Sequence, residues 1–167
     1  IFFQILFFNK LFAKEIEFDA SDIEISDGQN LTTANNGIAK IKDDGIIIEG
    51  EKIKYFKDKS LIIVEQGKIS KIDLNVNITS GRIEYNLEIG NINFTDKVGI
   101  EDKINKLIIY SDKIGYDLGS QKIFGKGYTK IIDEFENIYE VSGFQYSIKD
   151  RIIKLANTKV SDRNKNT

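Results

Sequence analysis

Four tyrosines, Tyr55, Tyr85, Tyr116 and Tyr146, stand 30, 31 and 30 residues apart. Each lies two positions after an apolar side chain, in turn Ile53, Ile83, Ile114 and Phe144. One period before Tyr55 the chain has Ile25, itself preceded at the same distance by Ile23. The sequence is therefore five copies of a unit of about 30 residues. A period of this length marks units that cannot bury an apolar face alone and must stack on their neighbours.

The second copy is the clearest. Ile46 and Ile48 alternate with polar residues, the alternation slips beside Gly50, and Ile53 and Tyr55 resume it. Alternation at period two is the signature of a strand with one buried face, and a slip beside glycine predicts a bulge or bend. Lys57-Asp-Lys-Ser60 is a polar turn, and the β-branched run from Leu61 leads to Gly67. Small residues recur five before the anchor at Ala20, Gly50, Ser80 and Ser111, with Val141 breaking the pattern; glycines follow near twelve after it at Gly37, Gly67 and Gly127. Each unit predicts two strands of roughly ten residues with two turns. Five units predict about ten strands and almost no helix, hence an all-β chain.

The inner positions form ladders. Ile53 and Tyr55, Ile83 and Tyr85, Ile114 and Tyr116, and Phe144 and Tyr146 line one side. Seven and nine after each anchor come Ile62 and Val64, Ile92 and Phe94, Ile123 and Gly125, and Ile153 and Leu155, read as the facing sheet. Two such ladders either close on each other as a sandwich core or splay into an apolar trough. The pattern alone favours neither.

Composition removes several chemistries. The net charge of −2 gives no nucleic-acid footprint, and the chain has no cysteine or histidine for thiolate or imidazole chemistry. Proline is absent too, so one device for blunting edge strands is missing. Gly119 to Gly127 superficially resembles a phosphate loop, but its spacing is one residue too long and neither Ser nor Thr follows Lys126. The acidic groups Asp43-Asp44 and Asp133-Glu134 with Glu136 fall where the repeat places turns. A polysaccharide-cleaving site on a β-solenoid would need acids stacked in register. With the copies aligned on their tyrosines no such column stands out. No enzyme, metal or cofactor is expected.

The N-terminus differs in kind. Residues 1–13 are dominated by Phe, Ile and Leu and end at Ala13. They are too short to span a bilayer and read as a signal-peptide remnant, so export is expected. Residues 161–167 are a polar tail, read as a frayed end or a truncation point.

The unit apolar-x-apolar-Gly-x-x-apolar-x-Tyr, seen best in 46–55 and again in 107–116, resembles the OstA-like jellyroll family of lipopolysaccharide-transport proteins. The likeness runs from about Glu15 to Val160, so a single domain over 14–160 is expected. It implies a twisted β-jellyroll, or β-taco, whose apolar groove carries the acyl chains of lipopolysaccharide across a Gram-negative periplasm to the outer membrane. Within the family, Ala20-Ser-Asp-Ile-Glu-Ile25 looks most like the N-terminal periplasmic domain of the assembly protein LptD, with the bridge protein LptA next. The implied partners are lipopolysaccharide, another family jellyroll added at an edge strand, and, for LptD, an outer-membrane barrel.

The expected lipid contacts are thirteen: Ile53, Tyr55, Ile62, Ile83, Tyr85, Ile92, Phe94, Ile114, Tyr116, Ile123, Phe124, Phe144 and Tyr146. Burying acyl methylenes contributes about 0.8 kcal/mol each, so a chain of roughly a dozen carbons gains up to about 10 kcal/mol in a dry groove. With no nucleotide site expected, the domain would be a passive conduit driven by work done elsewhere.

Overall fold

The structure is a computed structural model that describes residues 14–71 and 74–161; the signal-peptide reading of 1–13 and the tail from 162 onward lie outside the described residues. The expected all-β architecture is present. The strands are β1 (Ile16–Ser26), β2 (Leu31–Ile41), β3 (Ile46–Phe56), β4 (Leu61–Lys71), β5 (Val76–Asn86) and β6 (Asn91–Asp102), followed by β7 (Leu107–Asp117), β8 (Lys122–Ile132), β9 (Ile138–Ser147), β10 (Ile152–Ala156) and β11 (Lys159–Ser161). Each of β1 to β10 pairs antiparallel with the next, in sequence order, within one sheet. β11 also pairs with β9, so β10 and β11 are two halves of a last strand bent at Asn157, whose φ is 50°. Among the described residues helix is confined to 3-10 turns at Lys42–Asp44 and Lys57–Lys59.

The apolar ladders do not lie on two separate sheets. One sheet is folded along a crease that crosses every strand at its midpoint. Ala20, Gly37, Gly50, Gly67 and Ser80 are cross-strand partners in succession, and Val98, Ser111, Thr129 and Val141 continue the row. These include most of the small residues that recur in the sequence. Size is what matters there: a Cβ on Gly37 would lie 2.4 Å from Ala20 Cβ, and one on Gly50 2.4 Å from Val64 Cγ1. Positive φ values at Asn36, Gln66, Asp96, Lys97 and Gly127 turn the backbone at the same crease. β6 carries one extra residue here, as the shifts of register between Thr79/Arg82 and Thr95/Val98 show. That insertion lengthens the Tyr85–Tyr116 interval to 31; β8 carries a like insertion, offset by a shorter hairpin between Ile131 and Tyr139 than between Ile100 and Ile109, so Tyr116 and Tyr146 stay 30 apart.

Folding at the crease makes two leaves. The first leaf carries the β2–β3, β4–β5, β6–β7 and β8–β9 turns at its tip. The second carries the β1–β2, β3–β4, β5–β6, β7–β8 and β9–β10 turns. Along the second tip the turns are tied to one another: the amides of Lys57, Leu87, Leu118 and Ile148 donate to the carbonyls of Asn30, Ser60, Gly90 and Gln121 at 2.8–3.1 Å. The core lies between the leaves, with Ile48, Ile69, Ile78, Ile100, Ile109 and Ile131 buried on the first and the tyrosine ladder on the second.

Candidate functional site: the lined interior

Twelve of the thirteen expected lipid contacts share the inner face of the second leaf. Register places them, together with Val64 and Gly125, in two rows. Tyr55, Ile62, Tyr85, Ile92, Tyr116, Ile123 and Tyr146 are successive cross-strand partners along the tip. Nearer the crease run Ile53, Val64, Ile83, Phe94, Ile114, Gly125 and Phe144. The regular tyrosine spacing thus has a packing cause. An isoleucine on each intervening strand separates successive rings. Gly125 instead makes room for Phe144, since a Cβ there would lie 2.5 Å from that ring.

Two expectations are corrected. Ile62, Ile92 and Ile123 do not face the tyrosines from an opposite sheet; they stand beside them on the same leaf. The facing surface comes from the other half of each strand, because every strand is folded at its middle. Phe124 belongs to the outer face and is 48 % exposed. It sits between the inward Ile123 and Gly125, so strand alternation turns it out, and its ring covers Gly115.

The leaves are closed on each other in the middle of the domain. Ile53, Ile62, Ile83, Ile92, Phe94 and Ile123 are fully buried, and only Tyr55 of the inner twelve escapes the buried class. The closure has a polar seam at the mouth. Tyr85 Oη, at the second tip, donates to Asp44 in the β2–β3 turn of the first. Asp44 also accepts both bonds of the Lys14 ammonium at 2.9 Å, and Lys14 Nζ sits 5.9 Å from the centroid of the Tyr85 ring. Further along, Tyr146 Oη donates to Asp102. Asp102 caps its own turn by accepting from the Ile104 and Asn105 amides at 3.0 and 2.9 Å, and Asn105 Nδ2 donates to Tyr146 Oη at 2.7 Å. Burial, then the hydrogen-bonded carboxylate, pushes both phenols far above the usual tyrosine range.

Sequence reasoning missed these acids, although a signal exists. Asp44, Asp73, Asp102 and Asp133 stand 29, 29 and 31 residues apart. Alignment on the tyrosines blurs that column, because turn length and crease insertions intervene. Asp133 also serves structure: it accepts from the Phe135 and Asn137 amides, both at 2.9 Å, and from Tyr139 Oη at 2.9 Å. Desolvation opposes the charge, but these bonds and a further one from Asn137 Nδ2 at 3.0 Å hold its carboxyl below the usual range.

The seam also shows that the leaves are staggered. Tyr85 on β5 meets the β2–β3 turn, and Tyr146 on β9 meets the end of β6. A twisted sheet folded along one line must cross itself at an angle. The interior is therefore uncovered at its two ends, on opposite leaves. At the N-terminal end Ile23 and Ile25 on β1 are 45 % and 63 % exposed; at the C-terminal end Val160 on β11 is 60 % exposed.

No family model matches the chain, and no curated protein matches it. Among solved structures the chain is similar to LptH, the LptA-homologous periplasmic component of the conserved lipopolysaccharide transport device from Pseudomonas aeruginosa, with 11 % identity, a TM-score of 0.34, and coverage of 90 % of this chain and 96 % of that one.

Proposed function

We propose that this chain is a periplasmic, non-catalytic carrier of lipopolysaccharide, of the bridge type represented by LptA. The observation that carries the reading is the single folded sheet whose continuous apolar lining runs from Ile23 and Ile25 at one end to Val160 at the other. The two leaves are joined covalently only at the crease and by turns within each leaf. Acyl chains would enter by parting the mouth, where Tyr85–Asp44 and Tyr146–Asp102 are the polar ties to be broken. Both terminal strands, β1 and the β10/β11 pair, carry an edge unpaired among the described residues. The uncovered ledges lie on opposite leaves, so the end of one jellyroll complements the start of another. A bridge needs two such ends. The LptD reading keeps one sequence observation in its support, the start Ala20-Ser-Asp-Ile-Glu-Ile25.

The test uses a benzophenone amino acid at Phe94 or Tyr116, inward aromatic positions, and at Lys54 or Glu84 on the outer face. Ultraviolet capture of lipopolysaccharide at the first pair and not the second is expected. Equal capture at both faces, or none at either, overturns the reading. Co-purification of a jellyroll partner on each edge supports the bridge, whereas an outer-membrane barrel held at the C-terminal edge supports LptD.

A further inference from the structure

The outer face of the first leaf carries a second feature that the lined interior does not use. Lys68, Thr79, Gly99, Tyr110, Lys130 and Glu140 are successive cross-strand partners there. Gly99 leaves a gap in this row. A Cβ on it would lie 3.0 Å from Thr79 Oγ1 and 3.9 Å from the Tyr110 ring, so the ring flanks bare backbone. Two shallow depressions of about 400 and 410 Å³ share Thr79, Gly99 and Tyr110. The first extends to Lys97, Asp112 and Tyr128, the second to Asn77, Glu101 and Lys103.

Tyr110 and Tyr128 are 51 % and 61 % exposed, which is unusual for rings that pack so well elsewhere in this chain. Tyr128 is fixed in place, because its hydroxyl donates to Glu140 Oε1 at 2.8 Å. Around the rings Lys97, Lys103 and Lys130 make no ion pair among the described residues, whereas Lys68 has Glu49 at 4.0 Å.

We infer that this face binds an acidic oligosaccharide. A pyranose ring has an apolar C–H face and a rim of hydroxyls. The C–H face packs against an aromatic face, whose negative quadrupole attracts the polarised hydrogens. The hydroxyl rim needs neighbours that both donate and accept, and Asn77, Thr79 and Glu101 supply them. A depression on each side of Tyr110 suits at least two linked sugar rings. The three lysines without carboxylate partners match anionic substituents on those sugars. An extended peptide is a poor fit, because this is a sheet face with its backbone groups already paired. The site is on the opposite side of the sheet from the lipid lining and does not depend on the lipid reading.

The experiment is amide-shift mapping of the ¹⁵N-labelled chain with an oligogalacturonate, against a neutral malto-oligosaccharide of equal length. Shifts centred on Gly99, Tyr110 and Tyr128, saturating only with the acidic sugar, are expected. Tyr110→Ala should weaken binding at least tenfold, and Lys97→Ala with Lys103→Ala should abolish the preference for the acidic sugar. Both changes are at the surface, and an unchanged far-ultraviolet dichroism spectrum shows that the fold is intact. No shifts with either sugar, shifts elsewhere, equal response to both sugars, or undiminished binding by the Tyr110→Ala variant overturns the proposal.

Discussion

Tyr146 donates its phenolic hydrogen to Asp102, a carboxylate 44 residues away in sequence and only 1 % exposed. The bond joins the two leaf tips, and Asp102 holds the β6–β7 turn with its remaining lone pairs. A single contact therefore ties the closure of the leaves to the shape of a turn.

Removing that donor has a defined cost. Tyr146→Phe keeps the ring and leaves a buried carboxylate one donor short, a loss of about 1–3 kcal/mol. Equilibrium urea unfolding should show a lower midpoint with little change in slope. A midpoint equal to that of the unaltered chain would mean that the bond makes no net contribution.

Alkali should open the same seam. The folded-state pKa values of Tyr85 and Tyr146 lie above the unfolded value near 10, so the native state holds these protons more tightly. The stabilisation is fully present below about pH 10 and is lost as pH rises from there towards the folded-state values, at up to about 1.4 kcal/mol per pH unit for each tyrosine. Thermal unfolding measured from pH 9 to 11.5 should show a falling Tm. The fall should be shallower in the Tyr85→Phe, Tyr146→Phe double variant, which has neither phenol to ionise.

The crease is sensitive to size. A Cβ on Gly50 would meet Val64 Cγ1 at 2.4 Å, while one on Gly119 meets nothing nearer than 3.4 Å. Gly50→Ala should destabilise the fold by about 1–3 kcal/mol through overpacking. Gly119→Ala should cost much less in the same calorimetric measurement.

Edge pairing at β1 offers a test of the bridge. Lys14 and Lys42 flank this edge, and Lys42 pairs with Glu17, but no proline blocks it. A proline at Glu17 or Glu24, whichever directs its N–H away from β2, removes a donor that only a partner strand would use. Binding of a family jellyroll to this edge should be lost while the domain stays folded. Unchanged affinity with both folded proline variants would rule out addition at β1.

Much of this protein was decided locally, and the sequence alone carried it. The 30-residue period, the two strands per unit and the inward set Ile53, Tyr55, Ile83, Tyr85, Ile114 and Tyr116 follow from alternation at period two, which each strand displays by itself. The slip beside Gly50 even marked the bend. What alternation cannot say is which half-strand lies against which. That depends on the angle accumulated at a crease crossing every strand and on the twist of the whole sheet. So tertiary structure alone put Ile62 beside Tyr55 instead of opposite it, and set Tyr85 on Asp44 and Tyr146 on Asp102. It also staggered the leaves, leaving Ile25 and Val160 uncovered at opposite ends: period two selects a face within a strand, and only the folded sheet brings distant faces together.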